Sequence, residues 1–401
     1  MKIGIMTWWH NTNYGGFLQG IALQHFLARE GYDVELVSFA TPRADLSVWH
    51  LLISPQSYDK LWQLPKRVLR VFRAIFVRAG LFARIIRLRK TARLFQEYAV
   101  SSPRLYNNLA QLDSDARYDT LVVGSDQVWT PLWHDKEFSY LLGGIGDRVR
   151  KLSYASSVAA PTIHPFEHIY GERLKRFVAL SVREKSIIPE LESIVDRKIE
   201  WVVDPTLLLS REEWISFLNL DLNSGERHIT LYWLTDIETH LDEIISFAKR
   251  CACRVHLFSD VTNFNVRVNF GAWVRHLWAR ARVAGCRNLE LKIGADAREF
   301  LQDIATSDFV VSDSFHAMMF ATIFNKNAQI VITKSRQAMG SRIVDFVERV
   351  GSARLVDGLD AVAVEGFLDA PKRQDLTEWI LNSKEFLNSN LQKCVSFGRG
   401  V

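Results

Sequence analysis

Short apolar runs alternate with helix-length amphipathic stretches along the whole chain. In the first half the runs are KIGIMTW, DVELVSF, TLVVGS, RKLSYAS, FVALSVR and IEWVVDP; in the second they are HITLYWL, RVHLFSD, DFVVSDS and AQIVITK. A strand that is apolar on both faces must be covered on both sides, which happens when crossover helices flank a parallel sheet. The pattern therefore predicts an α/β chain. It pauses conspicuously at residues 219–228 (NLDLNSGERH), where polar and turn-forming residues cluster between WISFL and the next strand. That pause separates two Rossmann-like domains, residues 1–218 and 227–365, and a helical segment at 372–395 is expected to pack back across the first. A length of 401 residues agrees with this division, because single cores stop growing at roughly 250–300 residues.

One segment breaks the alternation. From Leu61 to Gln96 the chain carries ten Lys/Arg and no Asp/Glu, so the net charge of +5 becomes −5 without it. Leu69, Phe72, Ile75, Phe76, Leu81, Phe82, Ile85, Ile86 and Leu88 interleave with arginines at helical spacing, a basic amphipathic pattern. Two structures fit it. One is a helical hairpin packed on the N-terminal domain with solvated arginines; the other is a surface helix resting on anionic lipid, to which each cation contributes about 1 kcal/mol. No nucleic-acid-binding motif accompanies the charge, so nucleic acid is not expected as a partner. The four cysteines, Cys251, Cys253, Cys286 and Cys394, lack metal-ligand spacing and suit reduced thiols in the cytoplasm. The N-terminal apolar run is too short for a signal peptide, and no stretch of ~18 uncharged apolar residues occurs. The expected location is cytoplasmic, with peripheral contact on the inner face of the membrane.

The polar motifs follow predicted strands. NTNYGG (Asn11 to Gly16) follows the first, GSDQVW (Gly124 to Trp129) follows TLVV, SVREKS (Ser181 to Ser186) closes FVAL, and SDSFHAMMF (Ser312 to Phe320) follows DFVV. Open α/β sheets bind ligands beyond the carboxyl ends of their strands. Motifs from both halves therefore predict one cleft between the domains. Gly15 and Gly16 either make a tight turn or let an anion approach the helix start behind them. Asp126 either caps a turn or offers a carboxylate to the cleft. Arg183, a cation at the end of an apolar strand, needs a partner or a ligand. Asp204 in VVDPT reads as a turn former before proline. His316 is either a satisfied structural histidine or a cleft residue, beside Asp313 and Ser314, which can cap its helix.

In combination, NYGG with LQGIALQHFL, GSDQVW, SVREKS, VVDPTLLLSREEW, SDSFHAMMFATIF and SRIVDFVERVG resemble the polysaccharide pyruvyl transferase family, in order and from residue 1 to about residue 350. The resemblance implies an α/β fold of two Rossmann-like domains facing across a cleft in a GT-B-like arrangement. It also implies transfer of the pyruvyl group of phosphoenolpyruvate onto a sugar as a cyclic ketal. Carried onto this chain, it makes His316 the general acid or base, Arg183 an anion-binding residue and Asp126 a cleft carboxylate. Asn13, Tyr14, Gly15, Gly16, Gln19, Gln127, Asp313 and Ser314 are expected to contact substrate. Two positions depart from the pattern. Some members carry Arg two residues before the histidine, where this chain has Ser314, and the glycine after it is Ala317. The missing charge is expected from Lys334, Arg336 or Arg342.

The chemistry requires basic groups and helix N-termini for a carboxylate and a phosphate, and a residue that moves protons near neutral pH. Neither metal nor cofactor is expected. The acceptor is expected to be a sugar of a surface polysaccharide or its lipid-linked precursor. Two rivals stand beside this reading: a glycosyltransferase using a nucleotide sugar on the same fold, and a non-catalytic glycan-assembly protein.

Overall fold

The computed structural model describes residues 1–9, 13–40, 81–132, 137–223, 226–235, 237–259, 281–292, 294–333, 340–351, 353–363 and 376–397. The first half runs β1 (Lys2–Met6), α1 (Tyr14–Arg29), β2 (Asp33–Leu36), α2 (Leu81–Tyr98), α3 (Leu109–Ser114), β3 (Thr120–Val123), β4 (Arg150–Ser153), α4 (Glu167–Leu174), β5 (Ser181–Val182), α5 (Ile188–Val195), β6 (Glu200–Trp201) and α6 (Arg211–Leu218). The second runs β7 (His228–Trp233), α7 (Ile237–Arg250), β8 (Arg254–Ser259), β9 (Leu289–Leu291), α8 (Ala297–Thr306), β10 (Phe309–Ser312), α9 (Phe315–Ile323), β11 (Asn327–Val331), α10 (Ser341–Val350), β12 (Arg354–Val356) and α11 (Thr377–Phe397).

Both sheets are parallel. The first is ordered β2-β1-β3-β4, and bridges from Leu152 to Ala179 and from Ser156 to Val182 continue it onto the pair β5 and β6. The second is ordered β12-β11-β10-β7-β8-β9. Strand order reverses between β1 and β3 and again between β7 and β10. Such reversals open a crevice at the carboxyl ends of the flanking strands. The loops leaving β1, β3 and β10 are the ones that carry Asn13 to Gly16, Ser125 to Gln127 and Asp313 to His316.

The two halves share a core. Helix α1 is buried on almost every side, as expected for a helix that is apolar all round and wedged between layers. Its Tyr14 stacks on Phe300 of α8 with ring centroids 4.6 Å apart and donates its hydroxyl to the Ala295 carbonyl at 2.8 Å. Trp214 of α6 meets Phe320 of α9 edge-on at 5.2 Å while its indole donates to Thr206 O at 2.9 Å. Helix α11, the last described element, lies against the first half. Its Trp379 donates to Trp201 O at 2.9 Å, its Ser383 Oγ accepts from the Val203 amide at 3.0 Å, and its Asn388 donates to Glu30 at 2.7 Å.

The basic segment receives a partial correction. Residues 61–80 lie outside the described residues, but in α2 Arg87 is fully buried rather than solvated or facing lipid. Its Nη1 donates to the Ser259 carbonyl at 2.7 Å and its guanidinium sits 4.0 Å from the Tyr14 ring centroid. Lys90 pairs with Glu299 of α8 at 2.6 Å. Two of the ten cations thus fasten the halves together, whereas Arg89, Arg93 and Ile86 remain on the exposed face. Among the described residues, no helix is long and apolar enough to cross a membrane.

Because Tyr14 fills the contact between α1 and α8, Tyr14→Ala should cost about 3–5 kcal/mol in urea unfolding, in line with truncation of other buried aromatics. Tyr14→Phe, which removes only the bond to Ala295, should cost about 1 kcal/mol. A Tyr14→Ala protein as stable as the parent would show that this stack does not hold the halves together.

Candidate active site

Four loops bring their residues to one point between the halves. Arg183 follows β5 and is 4% exposed; Asp204 follows β6 and is 2% exposed. Arg183 Nη1 donates to Asp204 Oδ2 at 2.8 Å and to Ser125 Oγ at 3.2 Å, and the Ser125 hydroxyl itself donates to the same Asp204 oxygen at 2.9 Å. The other Asp204 oxygen accepts from the amide and hydroxyl of Thr206 at 3.0 and 2.8 Å. Both halves of this buried carboxylate are therefore satisfied, as a charge taken out of water requires.

His316, in the first turn of α9, faces this pair. Its Nε2 lies 3.5 Å from Arg183 Nη1 and 3.7 Å from Asp204 Oδ2. An arginine nitrogen only donates, so the Nε2 facing it carries a lone pair and the ring proton belongs on Nδ1. Nδ1 in turn abuts α1: a Cβ built on Gly15 would stand 2.0 Å from it. Burial is the largest influence on His316 and lowers its pKa; Asp204 pulls it up, Arg183 pushes it down, and the result lies below the ordinary 6.5. Burial alone would raise the Asp204 carboxyl, but its neighbours His316 and Arg183, with the hydrogen bonds from Arg183 and Thr206, outweigh it and hold the group below its ordinary value.

The helix starts complete the arrangement. Asn13 caps α1, its Oδ1 accepting from the amides of Gly15 and Gly16 at 3.0 and 3.4 Å. Ser314 caps α9, its Oγ accepting from Ala317 N at 3.5 Å. The positive ends of two helices, one from each half, thus meet at His316. Arg183 lies 4.4 Å and Arg342 5.8 Å from the centroid of the Phe315 ring. The Nε and Nη2 of Arg183 are buried without a hydrogen-bond partner, and Nη2 is 3.9 Å from Asp126 Oδ1. Asp126 has φ 74°, a left-handed conformation that Asp tolerates better than most residues, and its Oδ1 accepts from Gln127 N at 2.9 Å. Gln127, with its amide oxygen turned to Arg342, accepts from both terminal nitrogens at 2.8 and 2.7 Å.

Of the residues expected to contact substrate, Gly15, Gln127 and Arg342 join Arg183, Asp126 and His316 here. Asn13, Gly16 and Ser314 build the helix starts. Tyr14 and Gln19 are placed differently: Tyr14 packs between the halves, and buried Gln19 donates to Thr7 Oγ1 and Gly16 O, both at 2.8 Å. Asp313 ties β10 to the end of β7, accepting from the amides of Leu234 and Thr235 at 2.7 and 2.8 Å. Lys334 and Arg336 lie outside the described residues. Asp204, Ser125 and Phe315 were not among the expected site residues. The signal for Asp204 was available, because VVDPT also stands at the carboxyl end of a strand.

Two parallel α/β sheets whose carboxyl ends face one another define a protein of the GT-B fold. The UDP-GlcNAc 2-epimerase of Methanocaldococcus jannaschii, solved with UDP-GlcNAc and UDP, superposes with a TM-score of 0.55 at 12% identity, over 97% of this chain and 100% of that one. The Neisseria meningitidis UDP-GlcNAc 2-epimerase bound to UDP-GlcNAc gives 0.51 at 10% identity, over 98% and 100%. At such identities the likeness is one of fold. The chain belongs to the polysaccharide pyruvyl transferase family, whose model matches residues 13–331 and so spans every site residue described above except Arg342. No curated protein matches it.

Gly15→Ala should place a methyl where the His316 ring stands. We expect at least a tenfold fall in turnover without the small gain in stability that alanine ordinarily brings to a helix. Unchanged turnover would show that the ring need not sit there. Asp204→Asn leaves the buried Arg183 cation uncompensated and should cost about 3–5 kcal/mol by chemical denaturation. A loss below 1 kcal/mol would contradict the pairing.

Proposed function

We propose that this chain moves the pyruvyl group of phosphoenolpyruvate onto two hydroxyls of a sugar as a cyclic ketal, with His316 as the proton-transfer residue. The observation that carries the reading is the convergence of two capped helix N-termini with Arg183 and Arg342 around one buried histidine. A donor bearing both a carboxylate and a phosphate calls for such a concentration of fixed positive ends. The buried Nε and Nη2 of Arg183 supply a planar fork for one of them. Lys334 and Arg336 are further candidates for the other.

In this reading neutral His316 takes the proton of the first hydroxyl as that oxygen bonds to the carbon bearing the phosphate. The proton passes to the methylene carbon, which becomes the methyl group. The second hydroxyl then displaces phosphate, and its proton leaves with the phosphate. Donor trianion and diol thus become a monoanionic ketal and a phosphate dianion. Neither metal nor cofactor enters a step, and general acid–base help of this kind is worth ~10²–10⁴-fold. The acceptor is a sugar of a surface polysaccharide or of its lipid-linked precursor. Exposed Arg89 and Arg93 beside Ile86 on α2 favour a protein that rests on an anionic membrane to reach the latter.

The test is incubation with phosphoenolpyruvate and lipid-linked glycans, read as phosphate release together with a pyruvyl mass increment. His316→Ala should lower kcat by 10²–10⁴, and Arg183→Lys should raise the donor KM. Near-normal rates in the His316 variant would overturn its role. Because the free-enzyme pKa of His316 lies below 6.5, the base form prevails at neutrality, so kcat/KM should hold near pH 7 and fall only on the acid side of that value. Thermal stabilisation by a nucleoside diphosphate and none by phosphoenolpyruvate would favour the glycosyltransferase reading instead.

A further inference from the structure

Toward the amino ends of two inner strands of the second sheet, about 10–16 Å from their carboxyl ends at ~3.3 Å per residue, a second cluster stands apart from this chemistry. His228 opens β7, His256 lies in β8, and Asp303 of α8 reaches both. Thr230 pairs with His256 across the strands, so His228, Thr230 and His256 share the sheet face that Asp303 meets. One donor atom from each of His228, His256 and Asp303 can be chosen so that all lie within 4.8 Å of one another. His228 Nε2 is 3.5 Å from Asp303 Oδ1 and 3.2 Å from its main-chain oxygen, His256 Nδ1 is 2.6 Å from Oδ1, and the two imidazoles stack at 4.3 Å. Two ring nitrogens converging on carboxylate and carbonyl oxygens are joined to them either by hydrogen bonds through their own protons or by a metal.

The outer contacts favour the metal. Each of the three groups has its other polar atom already held. His228 Nδ1 donates to Glu226 O at 3.1 Å, Asp303 Oδ2 accepts from Thr230 Oγ1 at 2.6 Å, and His256 Nε2 faces Glu290 Oε2 at 3.5 Å. In metal centres this shell fixes the tautomer of each ligand and turns its remaining atom to the ion. A cavity of about 610 Å³ opens beside the cluster, bordered by Arg298, Glu299 and Thr306, and gives an ion both entry and room for bound water. Two imidazoles and one carboxylate suit Zn²⁺ and its first-row neighbours better than Mg²⁺ or Ca²⁺, which prefer oxygen ligands.

We propose that His228, His256 and Asp303 form a three-ligand site for a divalent transition metal of the Zn²⁺ class, which clamps α8 to the second sheet. The ion fastens the helix whose Phe300 stacks on Tyr14, so it steadies the joint between the halves rather than the reaction.

The full chain, stripped with chelator, is titrated with Zn²⁺ by calorimetry and with Co²⁺ by visible absorption. The expected result is one equivalent per chain, a Co²⁺ spectrum of low coordination number, and a melting temperature raised by Zn²⁺. His256→Gln and Asp303→Asn should each lose the tight equivalent, with circular dichroism confirming the fold. Thr230→Val spares all three ligands and should weaken binding ~10–100-fold, which guards against variants that fail to fold. Absence of uptake by the unmodified protein, or equal stoichiometry and affinity in His256→Gln, would overturn the proposal and leave the cluster holding protons alone.

Discussion

The buried pair of Arg183 and Asp204 is the interaction on which the rest of the site depends. Two opposite charges removed from water gain little net stability unless hydrogen bonds complete both of them. Asp204 is completed by Arg183, Ser125 and Thr206, which come from three different loops. One carboxylate thereby fixes the loops after β3, β5 and β6 relative to one another. Arg183 is less fully satisfied, with Nε and Nη2 buried and without hydrogen bonds. The asymmetry separates a structural anion, closed on itself, from a cation that keeps donors in reserve.

His316 reads the balance of that pair. It comes from the second half, while the charges it faces come from the first, so its environment exists only when the halves are joined. Gly15 enforces the joint at short range, because the first turn of α1 and the imidazole occupy adjoining space that a side chain would fill. Tyr14, next in the chain, secures it at longer range through Phe300 and Ala295. Packing and electrostatics are thus carried by consecutive residues of one helix turn.

Much of this was legible in the sequence, and what was not has physical causes. The ten apolar runs lie at ten of the twelve strands found among the described residues. The two that escaped, β9 and β12, are the edge strands of the second sheet, where less apolar covering is required and no continuous apolar run marks them. Gly15 and His316 were recognisable from their positions after strands. The VVDPT pattern marks Asp204 as a turn former, and its Oδ1 does serve that turn through Thr206; what local sequence does not reveal is that Oδ2 faces Arg183 from another loop. Tyr14 and Arg87 looked polar enough for a ligand or for solvent. Their partners, Ala295 and Ser259, lie far away in the chain, and long-range pairing leaves no periodic trace.

Under the proposed function, the cleft must receive a donor of high negative charge. Among the described residues, Arg183 and Arg342 are matched by Asp204 and Asp126, so the side chains alone are close to neutral. The helix starts of α1 and α9 add about half a positive charge each, fixed in direction and carrying no side-chain entropy. A neutral His316 adds nothing until a proton arrives. Burial chiefly depresses His316 and Arg183 adds to it; an anion beside Arg183 would offset that second part, while Asp204 continues to favour the charged form. Under the proposed function, a bound donor would thus ease part of the depression of His316 and favour proton transfer in the occupied cleft.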